Sequence, residues 1–132
     1  MKESYTLDTS AIMAYFLAET GKDEISRILS KAQKGEITVY ASFMSYMETL
    51  YRTWKLSDED TGKKAYIMLR NLPVKEVVQD EDLLLRAAAI KATNSLSVAD
   101  AWIAATAQKT ESTLVHKDPE MDNLKGIKLK KL

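Results

Sequence analysis

Apolar positions recur along this chain in two alternating rhythms. Short β-branched or alternating runs at residues 4–7, 37–40, 74–78 and 113–115 read as strands. Longer stretches between them place apolar residues three and four apart, the spacing of one helix face. Ile12, Tyr15, Phe16 and Leu17 follow the first strand, after the cluster of helix-capping residues Asp8, Thr9 and Ser10. Gly21 breaks that helix. Ile25, Ile28, Leu29 and Ala32 carry a second, which Gly35 is placed to end. Ser42 can cap a third, with Met44, Met47, Tyr51 and Trp54 as its apolar positions. Ser57, Asp58, Glu59 and Asp60 form the acidic start of a fourth, which must stop before Pro73. Asp80 and Ser97 can cap two more, over residues 81 to about 93 and 98 to about 109, and residues 127–129 offer a fifth strand.

Strands alternating with helices predict right-handed βαβ units. The expected fold is α/β, a central parallel sheet of four to five strands with helices on both faces. In such open sheets, sites form beyond the carboxyl ends of the strands, where the strand order reverses. The residues just after each strand therefore carry the functional argument. Tyr15, Phe16, Tyr51 and Trp54, at helical spacing, read as core before they read as base-stacking platforms.

Length and composition narrow the classes. With 132 residues, 45% of them hydrophobic, the chain suits one domain over residues 1–132 with an ordinary core. No cysteine is present, which excludes disulfides, zinc–thiolate and iron–sulfur sites and thiol catalysis, and agrees with a cytoplasmic setting. No signal peptide and no membrane span are expected from the pattern. The formal net charge is zero, so any nucleic-acid contact must be local. Lys125, Lys128, Lys130 and Lys131 are the dense basic stretch and read as a solvated tail.

Four acids stand out by position. Asp8 follows the first strand, and Asp118 lies three residues past Val115 at the end of the fourth. Asp100 sits in the first turn of the helix capped by Ser97. Glu48 has Met44 and Tyr51 as its helical neighbours, which sets it on or beside a buried face. Each has a plainer reading alone: Asp8 as a helix cap, Asp100 as half of a capping box, Asp118 as a turn residue before Pro119, Glu48 paired with Arg52. The combination carries more weight: four acids, three of them at positions that a parallel sheet would bring to one edge. Carboxylates packed this way repel, and a divalent cation removes that cost. All-oxygen ligation suits Mg²⁺ or Mn²⁺, and such an ion suits phosphodiester hydrolysis.

Leu7-Asp8-Thr9-Ser10, Glu48 within Tyr46-Met47-Glu48-Thr49-Leu50, Leu96-Ser97-Val98-Ala99-Asp100-Ala101 and Leu114-Val115-His116-Lys117-Asp118-Pro119 resemble, in order and spacing, the four motifs of PIN domains. The resemblance spans essentially the whole chain. It implies a PIN-like three-layer fold and endoribonuclease activity, with Mg²⁺ or Mn²⁺ bound by Asp8, Glu48, Asp100 and Asp118. A free-standing domain of this size is similar to VapC toxins, which implies an RNA substrate, a homodimer and a cognate antitoxin protein. A PIN-domain nuclease of RNA processing, or a PIN-fold binding module without catalysis, is the alternative. Many relatives carry Thr or Ser where His116 stands; His116 is a tolerated variant, a contact for substrate phosphate or a support for the fourth acid. Thr9 and Ser10 can brace the metal shell or serve only as caps. Glu120 and Asp122 can be peripheral ligands or surface charge.

Overall fold

A computed structural model describes residues 2–132. The chain runs β1 (Ser4–Leu7), α1 (Thr9–Phe16), α2 (Lys22–Gln33), β2 (Thr38–Ser42), α3 (Phe43–Leu56), α4 (Glu59–Asn71), β3 (Lys75–Val77), α5 (Glu81–Thr93), α6 (Val98–Thr110), β4 (Thr113–His116), a 3₁₀ turn (Pro119–Met121) and β5 (Leu129–Lys131). The five strands form one parallel sheet in the order β3-β2-β1-β4-β5. The chain lays β2 and β3 outward on one side of β1, then crosses over to place β4 on the other. The order therefore reverses between β1 and β4.

The expected caps are in place. Side chains of Asp8, Ser42, Asp58, Asp80 and Ser97 accept from the backbone N–H of Ser10, Met44, Thr61, Leu83 and Asp100, satisfying donors that a helix start leaves open. Neighbouring residues of β4 point to opposite faces of the sheet and feed two cores. Val115 joins Leu7, Ile12, Ile25, Ile28 and Leu69 on one face; Leu114 joins Leu83, Ile90, Ile103, Ala104 and Met121 on the other. α3 and α4 meet tightly because residue 62 is glycine. A Cβ there would lie 2.7 Å from the Leu50 carbonyl oxygen and 3.0 Å from the Trp54 Cβ.

Several expectations need correction. β2 runs on to Ser42, because Ala41 and Ser42 pair with β3. β5 is residues 129–131, not 127–129; it pairs in register with β4, and Leu132 N–H closes on the His116 carbonyl at 2.9 Å. Of the basic C-terminal stretch, Lys130 and Lys131 thus belong to an edge strand, whereas Lys125 and Lys128 precede it and are exposed, as a solvated segment would be. Lys130 pairs with Glu24 at 3.1 Å and Lys131 with Asp122 at 2.9 Å, and such charged edges discourage further strand pairing. The third helix exists as expected but faces the other way. It buries Ser45, Tyr46, Glu48, Thr49 and Thr53, and it exposes Met47, Tyr51 and Trp54. Tyr51 and Trp54 are therefore not core, whereas Tyr15 and Phe16 pack against it.

Candidate metal centre

β1 and β4 are neighbours, with Leu7 in register with Val115. The ladder continues one step past β1, where Asp8 N–H donates to the Val115 carbonyl at 2.9 Å. Asp8 then turns into α1 as its cap and is buried at 2% exposure. β4 gives out into the loop that carries Asp118. Two acids thus leave adjacent strands at the point where the strand order reverses.

The remaining two come from helices. α6 packs on the sheet through Ala101, Ile103, Ala104, Ala105 and Ala107, and its first turn holds Asp100, partly buried. Ser97 Oγ accepts the Asp100 N–H at 3.1 Å, one half of a capping box. α3 brings Glu48, buried at 8% exposure. Arg52 is not its partner. Thr9 Oγ1 donates to Glu48 Oε1 at 2.7 Å and lies 2.9 Å from the buried Ser45 Oγ.

The acids feel one another. Burial pushes the Asp8 carboxyl above the usual range; bonds from Ser10 oppose this, and Asp118 and Glu48 add to it. Asp100 is pushed up to about 7, chiefly by burial and then by the charges of Asp8 and Asp118, with Glu48 contributing. None of the ion pairs among the described residues involves any of these four acids. Single carboxylate oxygens of Asp100, Asp118 and Glu120 also lie within 4.8 Å of one another, with Asp118 partly buried and Glu120 exposed. A hard cation fits this donor set: oxygen ligands only, excess negative charge, and no protein cation to neutralise it.

The surrounding hydroxyls hold the acids in place. Ser10 Oγ donates to Asp8 Oδ2 and accepts the Lys117 backbone N–H at 2.9 Å, so one hydroxyl ties the first acid to the loop of the fourth. Asp118 Oδ1 accepts the Glu120 N–H at 3.0 Å, which leaves its second oxygen free. His116 is the further member of this scaffold. It is 1% exposed, so it cannot serve as a substrate contact. Its Nδ1 lies 3.0 Å from the Asp118 carbonyl oxygen, and since a carbonyl only accepts, Nδ1 is the donor. Asp122, also suggested as a ligand, points elsewhere, to Lys131 at 2.9 Å and within 3.9 Å of His116 Nε2. Glu120 is the acid that the sequence left undecided and that the geometry brings next to Asp100 and Asp118; its place two residues after Asp118, just past a proline, was the available signal.

Comparison with known proteins bears on the fold. The family model described as PIN domain matches residues 5–127. Curated protein sequences give no match. Among solved structures, VapBC2 from Rickettsia felis bound to a promoter DNA fragment superposes with a TM-score of 0.79 at 13% identity, covering 97% of this chain and 98% of the other. DNA-bound VapBC from Salmonella typhimurium gives 0.75 at 16% identity over 99% and 98%. Mycobacterium tuberculosis VapC20, a toxin that cleaves the sarcin-ricin loop, gives 0.69 at 16% identity over 89% and 91%. At these identities the similarity establishes a shared fold.

Proposed function

The chain belongs to the PIN-domain family, and from that premise we propose that it is a metal-dependent endoribonuclease, the toxin of a type II toxin–antitoxin pair held in check by a cognate antitoxin. The single observation that supports the nuclease reading is the closeness of Asp100, Asp118 and Glu120, whose carboxylate oxygens lie within 4.8 Å of one another, with the charges of Asp8 and Glu48 near enough to add to the upward push that burial gives the Asp100 carboxyl. The toxin assignment draws on the solved toxin–antitoxin structures of the same fold and length.

Asp8, Asp100 and Asp118 are the residues that would hold Mg²⁺ or Mn²⁺, with Glu120 able to reach the same ion. Bound there, the cation would supply an activated water at neutral pH and screen the charge that develops on the phosphoryl oxygens. Glu48, fixed by Thr9 through Oε1, keeps Oε2 free to accept a proton from the attacking water. Ser10 keeps Asp8 and the Asp118 loop at a set separation. No side-chain nucleophile is needed, and in-line attack at phosphorus would leave a 5′-phosphate.

The test is cleavage of mixed-sequence RNA in Mn²⁺, with and without chelator, by wild type and Asp100→Asn. Cleavage that needs the metal and falls at least about a thousandfold in the variant is the expected result. An Asp100→Asn protein that cuts at the wild-type rate would remove that residue from the site. Wild-type protein that binds Mn²⁺ and cuts no RNA would remove the nuclease reading itself.

A further inference from the structure

Ser45 and Glu48 fall at i and i+3 of α3, on one face of that helix, and the face is turned to the start of α1. Thr9 is the first residue of α1 and the chain neighbour of Asp8. It puts its hydroxyl between the two α3 side chains, with Thr9 Oγ1 2.7 Å from Glu48 Oε1 and 2.9 Å from Ser45 Oγ. All three are buried, Ser45 at 0% exposure. The direction of the two bonds follows from counting protons. A carboxylate only accepts, and a hydroxyl has a single proton to give. The Thr9 proton therefore goes to Glu48, and the contact with Ser45 is closed by the Ser45 proton, donated to Thr9 Oγ1. The result is a one-way chain of hydrogen bonds from Ser45 through Thr9 to Glu48.

A serine at position 45 does little for α3 itself. Alanine is the better helix former, and it would fill a buried helical position without a polar group to desolvate. Thr49, one turn further along and equally buried, shows such a hydroxyl without a use: its Oγ1 has no hydrogen-bond partner among the described residues. Thr9 for its part opens α1, so no preceding helical turn offers the carbonyl that usually anchors a helical threonine side chain. A bond to Glu48 alone would let the Thr9 and Glu48 side chains move together. The second bond ties the pair to α3 one turn before Glu48. We propose that Ser45 is a positioning residue of the acidic centre, acting through Thr9 to hold Glu48 in one conformation. This rests on the ribonuclease reading above and adds to it a residue that touches neither cation nor RNA.

The experiment compares Ser45→Ala with Thr49→Val, a control on the same buried face, and closes a double-mutant cycle with Thr9→Val. The first readout needs no metal and no RNA: three-bond NMR couplings to the γ-methyl carbon of Thr9 report its χ1. A single rotamer is expected in wild type and in Thr49→Val, and averaged couplings in Ser45→Ala. The second readout is RNA cleavage in Mn²⁺. Ser45→Ala is expected to lower kcat about tenfold, with KM and Mn²⁺ affinity within about twofold of wild type. Thr49→Val is expected to leave all three unchanged. In the Thr9→Val background, where the chain is already cut, adding Ser45→Ala should lower kcat no further. Three results would overturn the proposal: a Thr9 rotamer that stays single in Ser45→Ala, kcat losses that multiply in the double variant, or equal losses in Ser45→Ala and Thr49→Val. The last is the mark of a helix disturbed by any change to its buried face. Failure of the nuclease reading looks different: the Thr9 rotamer would depend on Ser45 while wild type never cut RNA in Mn²⁺.

Discussion

Helix α2 turns Ile25, Ile28 and Leu29 into the core and its charges outward, whereas α3 buries Ser45, Glu48, Thr49 and Thr53 and leaves Met47, Tyr51, Trp54 and Leu56 exposed. The first helix follows the rule that burial of apolar surface stabilises a fold, at roughly 25 cal/mol per Å². The second inverts it. Desolvating its polar groups costs free energy, and the Thr49 hydroxyl is buried with no hydrogen-bond partner, a cost of about 1–3 kcal/mol. An arrangement that stabilises so poorly has to be accounted for by what it positions. In α3 that is Glu48, held against Thr9 beside three other acids.

The comparison breaks most sharply if each helix is damaged at its buried centre. Ile25→Ala, at a site with 0% exposure, is expected to cost about 3 kcal/mol in denaturant unfolding. The protein that remains folded should bind Mn²⁺ and turn over as wild type. Glu48→Gln preserves shape and an acceptor for Thr9. It is expected to leave stability within about 1 kcal/mol of wild type and to slow RNA cleavage by about a hundredfold or more. If Glu48→Gln unfolded the protein and left cleavage intact, α3 would be an ordinary structural helix and the contrast would be void.

Acidity separates the two regions in the opposite sense. On α2, Lys130 holds the half-buried Glu24 carboxyl below its usual range. A depressed carboxyl adds stability above its unfolded pKa and loses it as pH falls, and at a pair still open to solvent the contribution is small. Asp100 does the reverse. Its folded pKa is about 7, above the ordinary value of 3.8. The destabilisation is absent well below pH 4, grows as pH rises towards 7, and is complete above it. Metal-free protein is therefore expected to melt lower at about pH 8 than at about pH 5.5, with Asp8 acting in the same direction. Asp100→Asn should flatten that slope, and Mn²⁺ should reverse it. Because the cation displaces a proton, Mn²⁺ affinity is expected to fall about tenfold per unit below pH 7, measured by titration calorimetry. A metal-free melting temperature that rose steadily from pH 5.5 to 8 would show that the acids do not repel.

The same contrast explains what the sequence made legible. The alternation of strands and helices, the caps and the parallel topology could be read because local rules and tertiary packing agree there, as at Asp80 and Ser97. α3 was located correctly and turned the wrong way. Periodicity at Met44, Met47, Tyr51 and Trp54 marks a helix, but it names the buried face only when that face is apolar, and here the polar stripe faces in. Glu48 was placed at the buried side through apolar neighbours, one of which, Tyr51, is in fact exposed. β5 shifted by two residues because edge pairing is set by register with β4, which no local pattern encodes. The positions of Asp8, Asp100 and Asp118 in the fold were readable because chain topology fixes where strand ends and first helical turns lie. For His116 the sequence left support of the fourth acid open beside plainer readings, since a lone histidine carries little signal until its burial and its partner are known.

His116 extends the comparison to a single side chain, for it too is a buried polar group whose worth lies in what it holds. Its Nδ1–H fixes the carbonyl of Asp118, and the Asp118 carboxylate caps the turn that presents Glu120. Support of this kind is worth about 10- to 100-fold in metal affinity, and since Ser10 also anchors the loop through Lys117 N–H, the low end applies. His116→Leu is expected to weaken Mn²⁺ binding about tenfold. His116→Asn, whose amide can donate from nearly the position of Nδ1, should recover most of it. A purely structural histidine would behave otherwise. Both substitutions would lower the melting temperature, and Mn²⁺ affinity of the folded protein would not distinguish Asn from Leu. Equal affinities in the two variants would return His116 to the class of Ile25, a residue kept for packing alone.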